Sequence, residues 1–242
     1  MALLTVDRLT KGFGGVLAVR DVGFTLEAGE LLGVMGPNGS GKTTLFNLIA
    51  GALRPDGGRI AFHGRDITGL SPHRVCARGI ARTFQLVRPF AGLTALDNVR
   101  VGCLYGRRRG AAPAEAEARR LLALVDLEER ATTPAAALTL MDRKRLELAR
   151  ALATGPALLL LDEVAAGLRP NEIQEMITLV RRIAAGGVSV LIIEHVLEAV
   201  MRLSARIVVL NYGEVIAEGS PQSLVNDPRV IEAYLGEAYT LA

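Results

Sequence analysis

Residues 36–43 read Gly-Pro-Asn-Gly-Ser-Gly-Lys-Thr, a run that fixes the strand, the turn and the helix around it. It fits the phosphate-binding pattern G-x-x-x-x-G-K-[ST]. Before it, Leu31–Met35 is apolar and of strand length; after it, Thr44–Ala50 has apolar residues at helical spacing and stops at Gly51, a C-cap residue. A strand turning through glycines into a helix aims several backbone N–H groups and a helix N-terminus at one point. Gly36, Gly39 and Gly41 permit positive φ and let the main chain approach a phosphate with no Cβ in the way. Lys42 then reaches the β- and γ-phosphates, and the Thr43 hydroxyl ligates Mg²⁺. The alternative, a glycine-rich surface turn with an incidental lysine, leaves both flanks unexplained. The run predicts a nucleoside-triphosphate site.

The rest of the chain bounds the setting. Its 242 residues suffice for one large α/β domain or two small lobes. Half are hydrophobic, yet no uncharged run reaches the 18 to 20 or so residues of a membrane span, and the N-terminus lacks the basic and apolar regions of a signal peptide. Cys76 and Cys103, with His63, His73 and His195, form neither a disulfide framework nor a metal cage, which points to a reducing, cytosolic compartment. The net charge is only +3. The basic clusters at 107–109, 119–120, 143–145 and 181–182 read as solvated helix faces or loop charges rather than a nucleic-acid groove, and 4% aromatic content offers no base-stacking platform.

Taken in order, Leu3–Leu9 alternates like a strand, Thr10–Gly15 reads as a loop displaying Phe13, and Val16–Leu26 reads as a second strand broken at Gly23. A turn at Pro55–Gly58 precedes the strand Arg59–Phe62, Ser71-Pro72 opens a helix, and Ile80–Phe84 is a strand delivering Gln85. From Thr94, with Asp97 as a capping-box partner, to about Arg150 the pattern is helical. Then strand and helix alternate: strand Ala157–Leu161, helix Pro170–Ala185, strand Val188–Ile193, a short helix from His195, a hairpin of Ile207–Leu210 and Val215–Ala217, and two final short helices. The alternation predicts an α/β core with a helical block inserted.

Two carboxylates, Asp162 and Glu163, end the apolar run Leu158–Leu161. So apolar a strand is buried on both faces, and its acidic end emerges at a site. Beside a phosphate loop, Asp162 fits a second holder of Mg²⁺ and Glu163 a group that polarises the attacking water; taken alone, the pair also reads as a helix N-cap cluster. Gln85 and His195 follow strand ends, where the glutamine amide can touch metal or water and the histidine can donate to a γ-phosphate oxygen. A surface glutamine and a structural histidine are the alternatives.

Phosphate loop, Gln85, the Leu138–Leu152 segment, Asp162-Glu163 and His195 occur in the order and rough spacing of ATP-binding cassette (ABC) ATPases, which the chain resembles over nearly its whole length. The stretches 79–85, 93–99, 193–195, 217–219 and 229–236 resemble the ATP-binding subunits of branched-chain amino acid importers. The resemblance implies a single cassette over 1–242, with an antiparallel β subdomain, a catalytic core from 1–93 and 151–242, and a helical subdomain over about 94–150. It implies Phe13 stacking on adenine and ATP held by Gly36, Pro37, Asn38, Gly39, Ser40, Gly41, Lys42, Thr43 and Thr44. Mg²⁺ then lies at Thr43, Gln85 and Asp162, and catalysis falls to Lys42, Glu163 and His195. Implied partners are membrane permeases, a second ATPase subunit and, indirectly, an extracytoplasmic solute-binding protein, with no nucleic acid. The site of action is the cytoplasmic face of the membrane.

The chain departs from the family pattern at three places. Thr139, Leu140, Met141 and Asp142 stand in a signature of the form LSGGQ, so two bulky side chains replace glycines and a carboxylate sits near a polyanion; Asp142 is alternatively a helix N-cap. Val164 replaces a usual proline, and Arg169 replaces a usual aspartate or asparagine. The resulting expectation is an importer ATPase, acting in a nucleotide-sandwich dimer that is a heterodimer. A soluble non-transport ABC ATPase and a degenerate ATP-binding subunit are the rivals. Leu86, Val87, Phe90 and Leu93 line a permease groove or pack beneath the helical block. The solute is a branched-chain amino acid, urea or a short amide.

Overall fold

A computed structural model describes residues 2–84, 88–106, 114–194 and 196–235. Two sheets are stacked around the phosphate-loop helix. The smaller is antiparallel, in the order β2 (Val16–Glu27), β1 (Ala2–Phe13), β4 (Gly57–Phe62), β5 (Arg65–Asp66). The larger runs β10 (Glu214–Gly219), β9 (Arg206–Asn211), β3 (Leu31–Met35), β8 (Ser189–Ile193), β7 (Leu158–Asp162), β6 (Ile80–Arg82), parallel except for the β9–β10 hairpin.

Period-2 patterning of the parallel strands sorts their side chains into two cores. Leu158 and Leu160 of β7, with Leu191 and Ile193 of β8, join the antiparallel sheet and α1 (Lys42–Ile49). Leu159 and Leu161, with Val190 and Ile192, face α6 (Pro170–Ala185) and a helical block. That block comprises α3 (Ala95–Tyr105), α4 (Ala114–Leu124) and α5 (Leu140–Ala153). A third cluster, with Met35, Val209 and Val230, packs α7 (Leu197–Leu203), α8 (Pro221–Val225) and α9 (Pro228–Leu235) beside β9 and β10. Short α2 (Pro72–Arg78) leads into β6. Four leucines in a row on β7 are 0% exposed. At about 1.5–3 kcal/mol per buried leucine, this strand anchors both cores.

The predicted α/β order, the helical block and the two sheets are all present, and several ends move. The expected loop over Thr10–Gly15 is strand as far as Phe13, because Asp56 clasps it by accepting from Lys11 Nζ (2.7 Å) and Gly12 N (2.8 Å). Only Gly14 and Gly15, both at positive φ, turn the chain. β2 is continuous through Gly23; its irregularity lies instead at Asp21 (φ 50°), whose amide donates to Thr10 Oγ1 of β1 (3.3 Å). β6 ends at Arg82, although Thr83 N still donates to Leu160 O (3.0 Å) before Phe84 departs. Thr94 caps α3, accepting from Asp97 N (3.1 Å).

Since both faces of β7 are covered, Leu159→Ala and Leu160→Ala should each cost about 2–5 kcal/mol. Urea unfolding checks this, and a loss below about 1 kcal/mol at either position would mean that its face is open.

Candidate functional site

All the parallel strands point their C-terminal ends at one edge, where such sheets bind ligands. There β3 gives way to the phosphate loop. Gly36 (φ 152°) and Gly41 (φ 102°) have no room for a side chain, since a Cβ would sit on the carbonyl oxygens of Leu210 and Ala18, respectively. Those two glycines therefore serve close packing of the loop against β9 and β2. Gly39 (φ 80°) faces open space, with nothing within 4 Å of a Cβ built there. The turn between β9 and β10 supports the loop from behind, Gly213 N donating to Ser40 O (3.1 Å).

The loop and the start of α1, with Ala18, line a cavity of about 190 Å³ whose other walls are Asn38, Gly39, Ser40, Gly41, Lys42, Thr43 and Thr44. No side chain caps α1 and its first turn holds no acid, so its leading amides remain available. A lysine at that position opposes the helix dipole, whereas an anion in the cavity satisfies both. Lys42 is 5% exposed and curls into the loop, donating to Gly36 O and Pro37 O (both 2.8 Å) and to Ser40 Oγ (3.4 Å). Burial lowers its pKa, and the nearby Glu163 carboxylate partly restores it. Phe13 is half exposed at the tip of the β1–β2 hairpin, where its ring meets Lys11 Nζ at 5.5 Å.

Asp162 ends β7 two strands from β3 and is 4% exposed. Its Oδ2 accepts from Arg82 Nη2 (2.7 Å), while Arg82 Nη1 donates to Asn47 Oδ1 of α1 (2.6 Å). In donor chemistry, the described members of the expected metal set suit a hard cation. Thr43 offers an exposed hydroxyl and Asp162 a carboxylate, and among the described residues no cluster of three or more His, Cys, Asp or Glu could cage an ion alone. Few protein oxygens, completed by water and phosphate, suit Mg²⁺. Gln85 and His195 lie outside the described residues.

Glu163 stands in the left-handed region, φ 51°, a conformation costing a non-glycine residue of order 1–3 kcal/mol. Its amide donates to Ile193 O (2.9 Å) and its carbonyl accepts from Lys144 Nζ (3.2 Å). Two residues on, Ala165 N donates to Glu194 Oε1 (2.6 Å). Lys144 and Glu194 are 5% and 3% exposed. Sequence reasoning placed Lys144 in a solvated basic cluster and passed over Glu194 and Arg82. The signal available was position: Glu194 follows the buried strand β8, and Arg82 is the last residue of β6. Val164 packs into the core beneath the helical block.

The signature segment differs from its expectation. Thr139 caps α5, its hydroxyl accepting from Asp142 N (3.2 Å), so Asp142 is the third helical residue and not the cap. Asp142 is buried and paired with Arg130 (3.5 Å), and Met141 is buried in the core. Leu140 projects, 44% exposed, beside Gly167, and Thr139 before it is exposed as well. Arg169 caps α6 with its exposed side chain paired to Glu172 (2.7 Å).

Burial pushes the Glu194 carboxyl up to about 7, against the Ala165 amide and Lys144, which pull it down. The folded chain thus holds a proton between about pH 4.5 and 7 that the unfolded chain has released, so stability falls as pH rises through that window. Glu194→Gln removes the penalty. It should stabilise the chain by about 3 kcal/mol at pH 8 and by little at pH 5, a difference readable by urea unfolding. Equal stabilisation at both pH values would count against it.

Residues 19–166 match the model of the ABC transporter family, and residues 214–240 that of the branched-chain amino acid ATP-binding cassette transporter. The chain is 40% identical to the high-affinity branched-chain amino acid transport ATP-binding protein BraF of Pseudomonas aeruginosa, and 39% identical to LivG of Escherichia coli, covering 98% of both partners in each pair. Among solved structures, the ADP conformation of an ATP-binding cassette of an ABC transporter superposes with a TM-score of 0.89 at 32% identity, over 98% of this chain and 100% of that one. A dimeric cassette in a post-hydrolysis state, bound to ADP and Pi, gives 0.80 at 26% identity, over 90% and 98%. The chain belongs to the ATP-binding cassette family of ABC transporters, among the branched-chain amino acid transport ATP-binding proteins.

Proposed function

We propose that the chain hydrolyses ATP at this sheet edge to power import of branched-chain amino acids or a related small amino acid or amide. The observation that carries the reading is the buried Lys42 inside a glycine loop, facing a strand end that presents Asp162 and Glu163. The loop amides and the start of α1 bind the phosphates. Lys42 Nζ exchanges its carbonyl partners for phosphate oxygens. Thr43 and Asp162, with Gln85 outside the described residues, would hold Mg²⁺, which would supply positive charge against that developing on the phosphates. Glu163 accepts the proton of the attacking water, His195 donates to the γ-phosphate, and Phe13 stacks on adenine.

As an ATP-binding component of an ABC transporter, the chain works with membrane permeases, and among the described residues no helix is long and apolar enough to cross a membrane itself. An apolar cavity of about 360 Å³, with Val75, Cys76, Phe84 and Arg150 among its lining residues, separates α2 and β6 from α5. Phe90 is half exposed over the Arg150 guanidinium, 5.0 Å away, and its backbone is fixed by Asn98. We place the permease contact here, on the cytoplasmic face, with residues 94–150 as the helical subdomain receiving it. Leu86 and Val87 lie outside the described residues.

Leu140 supports a heterodimer. In a homodimer each nucleotide would face this bulky residue, and losing one donor contact of that kind costs about 10² to 10³-fold. A partner ATPase with glycines there would complete this chain's site, in a transporter fed by an extracytoplasmic solute-binding protein. Since Met141 and Asp142 are buried, relief of the signature calls for Leu140→Gly alone; Met141→Gly would open a core cavity.

Glu163→Gln should lose on the order of 10²-fold or more in turnover and keep its ATP affinity, whereas Lys42→Ala should lose the affinity itself. Calorimetry and steady-state ATPase assays of the assembled transporter separate these outcomes; native turnover in the glutamine variant would remove Glu163 from its role. Leu140→Gly should raise ATPase activity of the isolated chain. A wild-type chain that dimerises with ATP and turns over alone as fast as in the complex would contradict the heterodimer.

A further inference from the structure

Three residues from two elements converge on the turn after β7, and each binds a different part of its backbone. The end of β8 takes the Glu163 amide through Ile193 O at 2.9 Å. Lys144, on α5, donates to the Glu163 carbonyl at 3.2 Å. Glu194, one residue beyond β8, accepts from Ala165 N at 2.6 Å with Oε1, while its buried Oε2 has no hydrogen-bond partner among the described residues. We propose that Lys144 and Glu194 are positioning residues for Glu163, clamping the backbone that follows its left-handed conformation while Ile193 O holds the amide before it, and so fixing where its carboxylate points. The proposal rests on the reading of Glu163 as the base.

Packing alone does not call for these residues. Burying an ammonium and a carboxylate is costly, and apolar side chains of the same size commonly serve a core equally well. What they supply is direction, since a non-glycine residue at φ 51° persists only when its surroundings over-determine it. Misplacing a reacting group by about 1 Å can cost on the order of 10²-fold. The clamp also has a mechanical consequence. Lys144 lies on the helix that Thr139 caps and Leu140 opens, so displacement of α5 along its axis would draw Lys144 off the Glu163 carbonyl.

The test uses the full-length chain with Mg²⁺ and ATP for turnover, and ATP in EDTA for affinity by calorimetry. Lys144→Met and Glu194→Ala should each lower kcat about 10-fold or more with the ATP Kd within about twofold of wild type. Glu194→Gln, which keeps an acceptor for Ala165 N, should recover most of the turnover. In a Glu163→Gln background, Lys144→Met should reduce the residual rate by less than about twofold, because there is no longer a base to aim. Native kcat in Lys144→Met beside a slow Glu163→Gln would overturn the clamp alone. So would an undiminished effect of Lys144→Met in the Glu163→Gln background. If Lys144→Met does not fold, the Glu194 pair decides, and a Glu194→Gln variant as slow as Glu194→Ala overturns the proposal. Native turnover in Glu163→Gln itself would overturn the base assignment instead.

Discussion

Covering the central sheet on both faces leaves polar groups only one place to go. β7 and β8 are wholly buried, so charge carried by them must appear where they end. Asp162, Glu163 and Glu194 all sit at the same edge, with the phosphate loop beside them at the end of β3. The two leucine faces of β7 thus hold the cores together and set the chemistry's location with the same residues.

At that edge, Lys42, Asp162 and Lys144 are each buried with a partner. Lys42 rests on loop carbonyls, Asp162 on Arg82, and the Glu163 carbonyl on Lys144. Arg82 spans from Asp162 to Asn47 on the loop helix and lies within 5.4 Å of the Phe84 ring, so one side chain touches the loop helix, the acidic strand end and the wall of the apolar cavity. A guanidinium suits this because its planar fork binds in two directions at once and remains charged when buried.

Much of this was legible in the sequence because local pattern and tertiary role coincided. The glycine loop, the apolar run before Asp162 and the Pro170–Ala185 helix carry their own period and caps, and the last has the bounds its sequence predicts. Signals failed where a distant contact decided. Asp56 turns an apparent loop at Lys11 and Gly12 into strand from 44 residues away, as the Gly12 contact shows. Lys144 reads as one of three surface cations until α5 is placed against the β7 turn, and whether Met141 or Leu140 faces outward depends on the helix phase set by the Thr139 cap. Glu194 reads only as part of the 193–195 stretch and by its place at the end of a strand, neither of which shows its contact with the Ala165 amide.

The central claim is that this edge is one hydrolytic site for ATP. A crystal structure of the full chain as Glu163→Gln, grown with ATP and Mg²⁺, tests it most directly. The account predicts Lys42 Nζ released from Gly36 O and Pro37 O onto the β- and γ-phosphates, with Gly39 against them and the residue 163 side chain facing the γ-phosphate. Nucleotide bound elsewhere, or Lys42 still on the loop carbonyls with the triphosphate out of its reach, would contradict it.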